Sequence, residues 1–315
     1  MLNLQSFNME IKVSVIIPTY KRSIDIARAV DSVLNQTIDS FEVIVVDDNG
    51  IESSEGVKTT KVMKQYSDDI RVKYIQHKYN KNGSAARNTG IREARGKYIS
   101  FLDDDDAYFP TRLEEMYNKM ESLDYTWGAC YTGYVKNLAN GTHQYSNERS
   151  EGDLFKQALM RSLYIGTGSN LFFRHCVVNE IGLFDEQFTR NQDLEYLVRV
   201  LRKYKMAYVD NVLMQAFYDV RTVSFTYNQS FERESMFRNR FSKYLSELSQ
   251  KEQREVLIMY ELDWIRTCLS YKKIFQVFKT MIRSRIPLKI YYRYIKYAID
   301  RKKNNTCYGF IVSLN

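Results

Sequence analysis

Four consecutive carboxylates, Asp103 to Asp106, follow the apolar stretch Lys97-Tyr98-Ile99-Ser100-Phe101-Leu102. The stretch predicts a buried strand. Like charges packed side by side raise each other's pKa values, and the arrangement is disfavoured unless a cation or solvent neutralises it. Carboxylate oxygens are the ligands that hard divalent ions such as Mg²⁺ and Mn²⁺ prefer. Side chains alternate along a strand, so Asp103 and Asp105 are expected on one side and Asp104 and Asp106 on the other. The run reads as a metal site at a strand's C-terminal end, where open α/β sheets bind ligands. Asp47-Asp48 and Asp193 are further acids near element ends. Asp193 precedes an apolar stripe and suits a general base in a helix's first turn. Taken singly, each has a plainer reading. The four aspartates and Asp47-Asp48-Asn49-Gly50 are also turn sequences, and Asp193 is also an acid favoured by a helix dipole.

Strands and helices alternate in the first third of the chain and would position these groups. Val13–Ile17 predicts a strand stopped by Pro18, Ile24–Leu34 a helix and Phe41–Val46 a second strand. Ser54–Tyr66 predicts a polar helix, Val72–Gln76 a third strand and Gly83–Ala94 another helix before the strand that delivers the aspartates. Such alternation implies right-handed crossovers and a parallel sheet. Beyond Pro110 a helix is expected over Thr111–Leu123, with strands at Trp127–Val135 and Asn170–Phe173. The polar stretch Asn137–Ser150 reads as loop. Leu194, Leu197, Val198 and Leu201 form one stripe of a helix over Asn191–Tyr204. From about Phe231 the chain reads as helical and basic.

The 315 residues suit one large domain or a catalytic domain with an appendage. With 44% apolar residues, 3 prolines and 13 glycines, a full core is expected and extended linkers are not. Many of the 25 tyrosines and 17 phenylalanines are candidates for lining a binding face. Cys130, Cys176, Cys268 and Cys307 are widely spaced, and with the three histidines they make no zinc set. His77, His143 and His175 read as structural or exposed. A reduced, cytoplasmic setting is expected. No signal-peptide core precedes Lys12, Met9 offers an alternative start, and no run of about 20 apolar residues predicts a membrane span.

Acids at several strand ends are what a nucleotide, a metal and a reacting hydroxyl require together. Asp48 would accept hydrogen bonds from a base or ribose, and Asp105 with Asp103 would hold a metal against a diphosphate. No Gly-x-Gly-x-x-Gly follows the first strand, and no Walker lysine motif is present.

Five segments in order resemble glycosyltransferase family 2. They are Val13–Arg22; Glu42–Asn49; Gly83-Ser84-Ala85-Ala86-Arg87-Asn88-Thr89-Gly90; Gly96–Asp106; and Ile181–Glu186 followed by Gln192-Asp193. The resemblance implies a GT-A fold, a Rossmann-like, mainly parallel sheet flanked by helices, over residues 10–220, with a helical basic C-terminal region at 221–315. It implies an inverting hexosyl- or N-acetylhexosaminyl-transferase of the bacterial polysaccharide type, using a UDP-sugar and Mn²⁺ or Mg²⁺. Pro18, Thr19 and Tyr20 match the loop that packs on the base. Asp48 matches the acid at the uracil or ribose, with Asp47 and Asp104 nearby, and Arg87 matches a basic residue near the diphosphate. Asp103 and Asp105 match the DXD metal motif, and Asp193 matches the base. The family usually has Glu-Asp where this chain has Gln192-Asp193. The family's basic loop after the base helix is poorly matched by 218–224, where Arg221 is at best a phosphate contact.

Net charge is +8, and eleven Lys and Arg from Lys272 to Lys303 face one acid, Asp300. Ile274, Phe275, Val277, Phe278, Met281 and Ile282 form an apolar ridge among them. One reading is a pair of helices packed on the catalytic domain. Another is a peripheral helix on the anionic inner face of a membrane, suited to a lipid-linked glycan acceptor. Nucleic acid is not expected as a partner, because no binding motif accompanies the charge. Two other functions remain open: a sugar-nucleotide pyrophosphorylase, which would want a Gly-rich loop where Pro18–Arg22 stands, and a non-catalytic scaffold of polysaccharide assembly.

Overall fold

A computed structural model describes residues 10–218 and 225–314; Met9 and Arg221 lie outside them. In chain order the elements are β1 (Val13–Thr19), α1 (Ile26–Leu34), β2 (Phe41–Asp47), α2 (Ser54–Met63), β3 (Val72–Gln76), α3 (Gly83–Glu93), β4 (Tyr98–Phe101) and β5 (Ala107–Tyr108). They continue as α4 (Arg112–Glu121), β6 (Trp127–Leu138), β7 (His143–Ser146), α5 (Phe155–Leu159), β8 (Phe172–Arg174), α6 (His175–Ile181), α7 (Gln192–Leu201) and β9 (Lys205–Tyr218). The rest is α8 (Tyr227–Arg240), α9 (Ser242–Leu245), α10 (Gln250–Ser270), α11 (Ile274–Ser284), α12 (Leu288–Asn304) and β10 (Thr306–Cys307).

Two compact units result. One holds residues up to 137 with 149–153 and 165–217; the other holds 138–148, 154–164 and the chain from 218 onward. In the first, the strand order is β6-β8-β4-β1-β2-β3. β4, β1, β2 and β3 run parallel, β8 is antiparallel to β4 and β6, and β5 pairs with β9. This is the mainly parallel α/β sheet expected. β2 is buried along its whole length and β1 nearly so, because strands covered on both faces need apolar side chains on both. Ile26, Ala29, Val30 and Val33 form the buried stripe of α1.

α3 lies close against β1. A Cβ added to Gly90 would stand 2.3 Å from Cγ2 of Ile16, whose β-branched side chain is buried and stiff. Overpacking of this kind costs about 1–3 kcal/mol, against the roughly 1 kcal/mol that alanine gains over glycine in a helix. Gly90→Ala is therefore expected to lower the urea midpoint with an unchanged slope. A higher midpoint would contradict the close approach.

Two expectations are corrected here. The stretch 137–150 is not all loop, since it contains β7. β9 was not anticipated, because its polar interruption at Asp210-Asn211 breaks both strand periodicities.

In the second unit, α10 carries the core residues Trp264, Ile265 and Cys268, against which Val277 of α11 packs. The apolar ridge of α11 is divided: Val277 is buried, while Phe275, Phe278 and Ile282 face solvent. Segment 154–164 is tied in by Arg161, whose Nη2 lies 2.7 Å from Glu234 and 3.4 Å from Asp263, and by Lys156, 3.0 Å from Glu255.

Candidate functional site

Parallel pairing aligns the C-terminal ends of β1, β2 and β4. Ile16 lies opposite Phe101, and Thr19 opposite Asp47. Three residues beyond the Ile16–Phe101 pair the chains reach Thr19 and Asp104, and the Thr19 hydroxyl donates to Asp104 Oδ2 at 2.7 Å. Tyr20 N donates to the same oxygen at 3.2 Å. The sequence Pro18-Thr19-Tyr20 is thereby fixed against the acidic run. Pro18 is half-buried and the Tyr20 ring is exposed.

β4 stops at Phe101, and the four aspartates form a turn in which Asp106 N donates to Asp103 O at 3.0 Å. The expected alternation survives. Asp104 and Asp106 are buried, while Asp103 and Asp105 are half-exposed. Asp106 accepts from the hydroxyls of Ser169 (2.5 Å) and Thr167 (3.0 Å) and from Phe217 N (3.2 Å). Ser169 Oγ also accepts from Asp103 N at 2.9 Å, so one hydroxyl clamps both ends of the turn. Beneath it the fully buried Arg112 donates to Ser169 O at 3.1 Å and stacks on Tyr108. The carboxyls of Asp104 and Asp106 are pushed up to about 7. Burial is the largest cause and the charge of Asp103 a lesser one, so the crowding anticipated from the sequence is the weaker contribution.

The two outward carboxylates meet guanidinium groups. Arg87 Nη2 lies 2.6 Å from Asp103 Oδ1, and its Nη1 donates to Gln192 Oε1 at 2.8 Å. Arg22 forms an ion pair with Asp105, and Arg28 donates to the Asp105 backbone oxygen at 2.7 Å. Asp193 stands in the first turn of α7. A Cβ on Gly168 would be 3.8 Å from Asp193 Cβ and 3.5 Å from Arg87 Nη2, which puts the candidate base beside the same arginine. Protein atoms crowded around the half-exposed Asp193 raise its pKa, and the nearby Arg87 opposes that rise.

Asp47 and Asp48 reach the same edge but turn inward. Asp48 accepts from His77 Nδ1 (2.7 Å), Lys81 N (2.9 Å), Asn80 Nδ2 (2.7 Å) and Asn82 N (2.9 Å). Asp47 accepts from Asn49 N and Nδ2, Tyr74 and Gln76. A carboxylate offers about four acceptor positions, so in this arrangement both acids brace the loops after β2 and β3. In the first unit, the described non-glycine residues with positive φ are Lys21 (59°), Asn82 (114°) and Asn191 (55°). Lys21 lies between Tyr20 and Arg22, which meet Asp104 and Asp105; Asn191 precedes Gln192, which meets Arg87; and Asn82 N donates to Asp48. Such backbone strain collects at functional sites.

Arg22, Arg28, Ser169, Thr167 and Arg112 were not singled out as site residues from the sequence. Arg22 sat at the end of the first motif and was within reach. Ser169 and Thr167 had no signal, because they meet Asp106 from more than sixty residues away.

Magnesium-type sites take one or two carboxylates and complete their shell with substrate phosphates and water. Asp103 and Asp105 fit that donor set, since both face outward at a ligand-binding edge and each already attracts a cation. Among the described residues no group of three or more His, Cys, Asp or Glu is arranged to hold a metal. An ion at Asp105 would compete with Arg22.

A model of glycosyl transferase family 2 matches residues 14–182, more than half of the chain. The chain is 27% identical over 269 residues to the GalNAc(5)-diNAcBac-PP-undecaprenol β-1,3-glucosyltransferase of Campylobacter jejuni, covering 84% of this chain and 81% of that one. It superposes on the solved structure of S. aureus TarS in complex with UDP-GlcNAc with a TM-score of 0.64 at 18% identity, over 83% of this chain and 73% of that one. It also superposes on a Pyrobaculum calidifontis mannosyltransferase in complex with GDP-Man and Mn²⁺, with a TM-score of 0.57 at 16% identity, over 91% and 80%. These structures share the GT-A fold.

Proposed function

This chain belongs to glycosyl transferase family 2, and we propose that it moves a hexosyl or N-acetylhexosaminyl residue from a UDP-sugar to a hydroxyl of a lipid-linked glycan, inverting the anomeric centre. The observation that carries this proposal is the convergence of Asp103, Arg87, Gln192 and Asp193 at the edge where Thr19 and Tyr20 meet Asp104. The UDP-GlcNAc held by S. aureus TarS and the undecaprenol-linked acceptor in the Campylobacter relative's name support the donor and acceptor classes. The Mn²⁺ in the Pyrobaculum enzyme supports a divalent ion.

In the proposed reaction Tyr20 and Pro18 pack on the base, while Asp47 and Asp48 hold the surrounding loops. Asp103 and Asp105 are the carboxylates that would hold Mn²⁺ or Mg²⁺, which when bound neutralises charge on the departing diphosphate. Asp193 takes the proton from the acceptor hydroxyl, whose oxygen attacks the anomeric carbon. The bond from that carbon to the diphosphate oxygen breaks, and UDP leaves with the electron pair. One displacement inverts configuration, so an α-linked donor gives a β-linked product. Arg87 aligns the two halves of the site by bridging Asp103 and the first turn of α7.

The bond from Arg87 to Gln192 also bears on the scaffold alternative. Gln192 stands where the family usually has Glu, and its amide oxygen accepts from Arg87 at 2.8 Å, so α7 is tied to Arg87 without a charge at this position. Incubation with a panel of UDP-sugars, a glycan acceptor and Mn²⁺ is expected to release UDP, with little release when the ion is chelated. Absence of release across the panel, with no sugar nucleotide raising the melting temperature, would overturn the proposed activity.

A further inference from the structure

The outward face of α12 carries two parallel rows. Leu288, Tyr292, Ile295 and Ile299 follow one another at i, i+4, i+7 and i+11 and are 57–81% exposed. Lys289, Lys296 and Lys303 repeat every seven residues beside them, all exposed, and no carboxylate pairs with any of the three among the described residues. The opposite face is occupied. Ile290 is buried, the Tyr297 hydroxyl donates to Tyr308 O at 2.7 Å, and Arg301 lies 4.3 Å over the Tyr164 ring. These contacts fix which side of the helix faces out. α11 shows the same division, with Phe275, Phe278 and Ile282 exposed and Val277 packed on Trp264 and Cys268.

Contiguous apolar surface on a soluble protein marks an interaction site, and the charge beside it selects the partner. A second copy of the chain would set lysine row against lysine row. A bilayer carrying anionic phospholipid satisfies both rows at once: the apolar stripe enters the acyl boundary while the lysine stems follow it and keep their ammonium groups at the phosphates. No described helix is long and apolar enough to cross a membrane, so the helix would lie on the surface. We propose that α12, assisted by the exposed stripe of α11, docks this protein on anionic membrane. The face involves no residue of the catalytic proposal, and docking requires neither donor nor metal.

Cosedimentation with vesicles tests it. The wild-type protein is expected to pellet with phosphatidylglycerol-containing vesicles, to stay in the supernatant with pure phosphatidylcholine, and to be released by high salt. Lys289→Gln, Lys296→Gln and Lys303→Gln together should weaken binding by about a hundredfold. Ile295→Glu with Ile299→Glu should abolish it, with the melting temperature and UDP release unchanged. Wild-type protein that ignores anionic vesicles, or variants that bind as it does, would overturn the proposal. Self-association dissolved by Ile295→Glu, without vesicle binding, would assign the face to a second copy and overturn it as well. The lipid-charge and salt series on the wild-type chain decides the question even if a variant misfolds.

Discussion

Asp193→Asn is expected to lower kcat by about 10²–10⁴-fold while leaving UDP affinity, read by calorimetry, nearly unchanged. The side chain belongs to α7, and the carboxylates proposed to hold a metal against the donor's phosphates belong to the turn after β4, so removing the proposed base should not disturb the nucleotide. Asparagine keeps the shape but loses the negative charge and with it the ability to take up a proton. The surroundings raise the Asp193 pKa above its ordinary value, and the reaction needs the carboxylate. Activity should therefore fall as pH drops through a midpoint above the usual aspartate value of about 4, and the variant should lose that acid limb. Stability has the opposite sign. A folded-state pKa raised above the unfolded one stabilises the fold while the group is protonated, and this contribution is lost as pH rises through the raised value. At neutral pH the asparagine variant should thus be no less stable than the parent, so a collapse in activity cannot be blamed on unfolding. Equal losses of turnover and donor affinity would refute the assignment.

Asp105→Asn should remove the response to manganese and reduce kcat/KM by about a hundredfold or more, because ion-assisted stabilisation of a leaving diphosphate is worth several kcal/mol. Asp104 cannot substitute. It is buried, its Oδ2 accepts from Thr19 and Tyr20, and its Oδ1 lies 3.7 Å from Arg22 Nη1. The mutation also removes the nearer of Arg22's two carboxylate partners, leaving Asp104 at 3.7 Å and a guanidinium freer to meet phosphate. Metal-independent UDP binding should therefore persist or strengthen while the increment from added Mn²⁺ disappears. A variant whose UDP affinity still climbs with manganese as the wild type's does would show that Asp105 is not a ligand.

β1, β2 and β4 were legible because each is a short apolar run with a sharp stop, and parallel strands buried on both faces leave that signature. The grouping of Asp103 with Asp105 and of Asp104 with Asp106 was legible from strand alternation; which pair is buried was not. What surrounds them was not. Ser169 and Thr167 are ordinary polar residues until folding carries them to Asp106. Arg112, in a helix whose other charges face water, gives no hint in sequence that it is fully buried. Asp48 read as a free acceptor because nothing in its neighbourhood reveals that His77, Asn80, Lys81 and Asn82 converge on it. Long-range polar partners follow from topology, and local patterns do not encode them.

The second unit draws on three separate stretches of chain, and this bears on how the protein can be shortened or recombined. Ending the polypeptide near residue 220 would take from Arg161 its partners Glu234 and Asp263 and the Phe237 and Tyr260 rings it lies over, and from Lys156 its partner Glu255. Segment 154–164 would then lose both the ion pairs and the aromatic faces that anchor it. The basic region is therefore no detachable tail, and chimaeras that exchange it must carry residues 138–148 and 154–164 along with it.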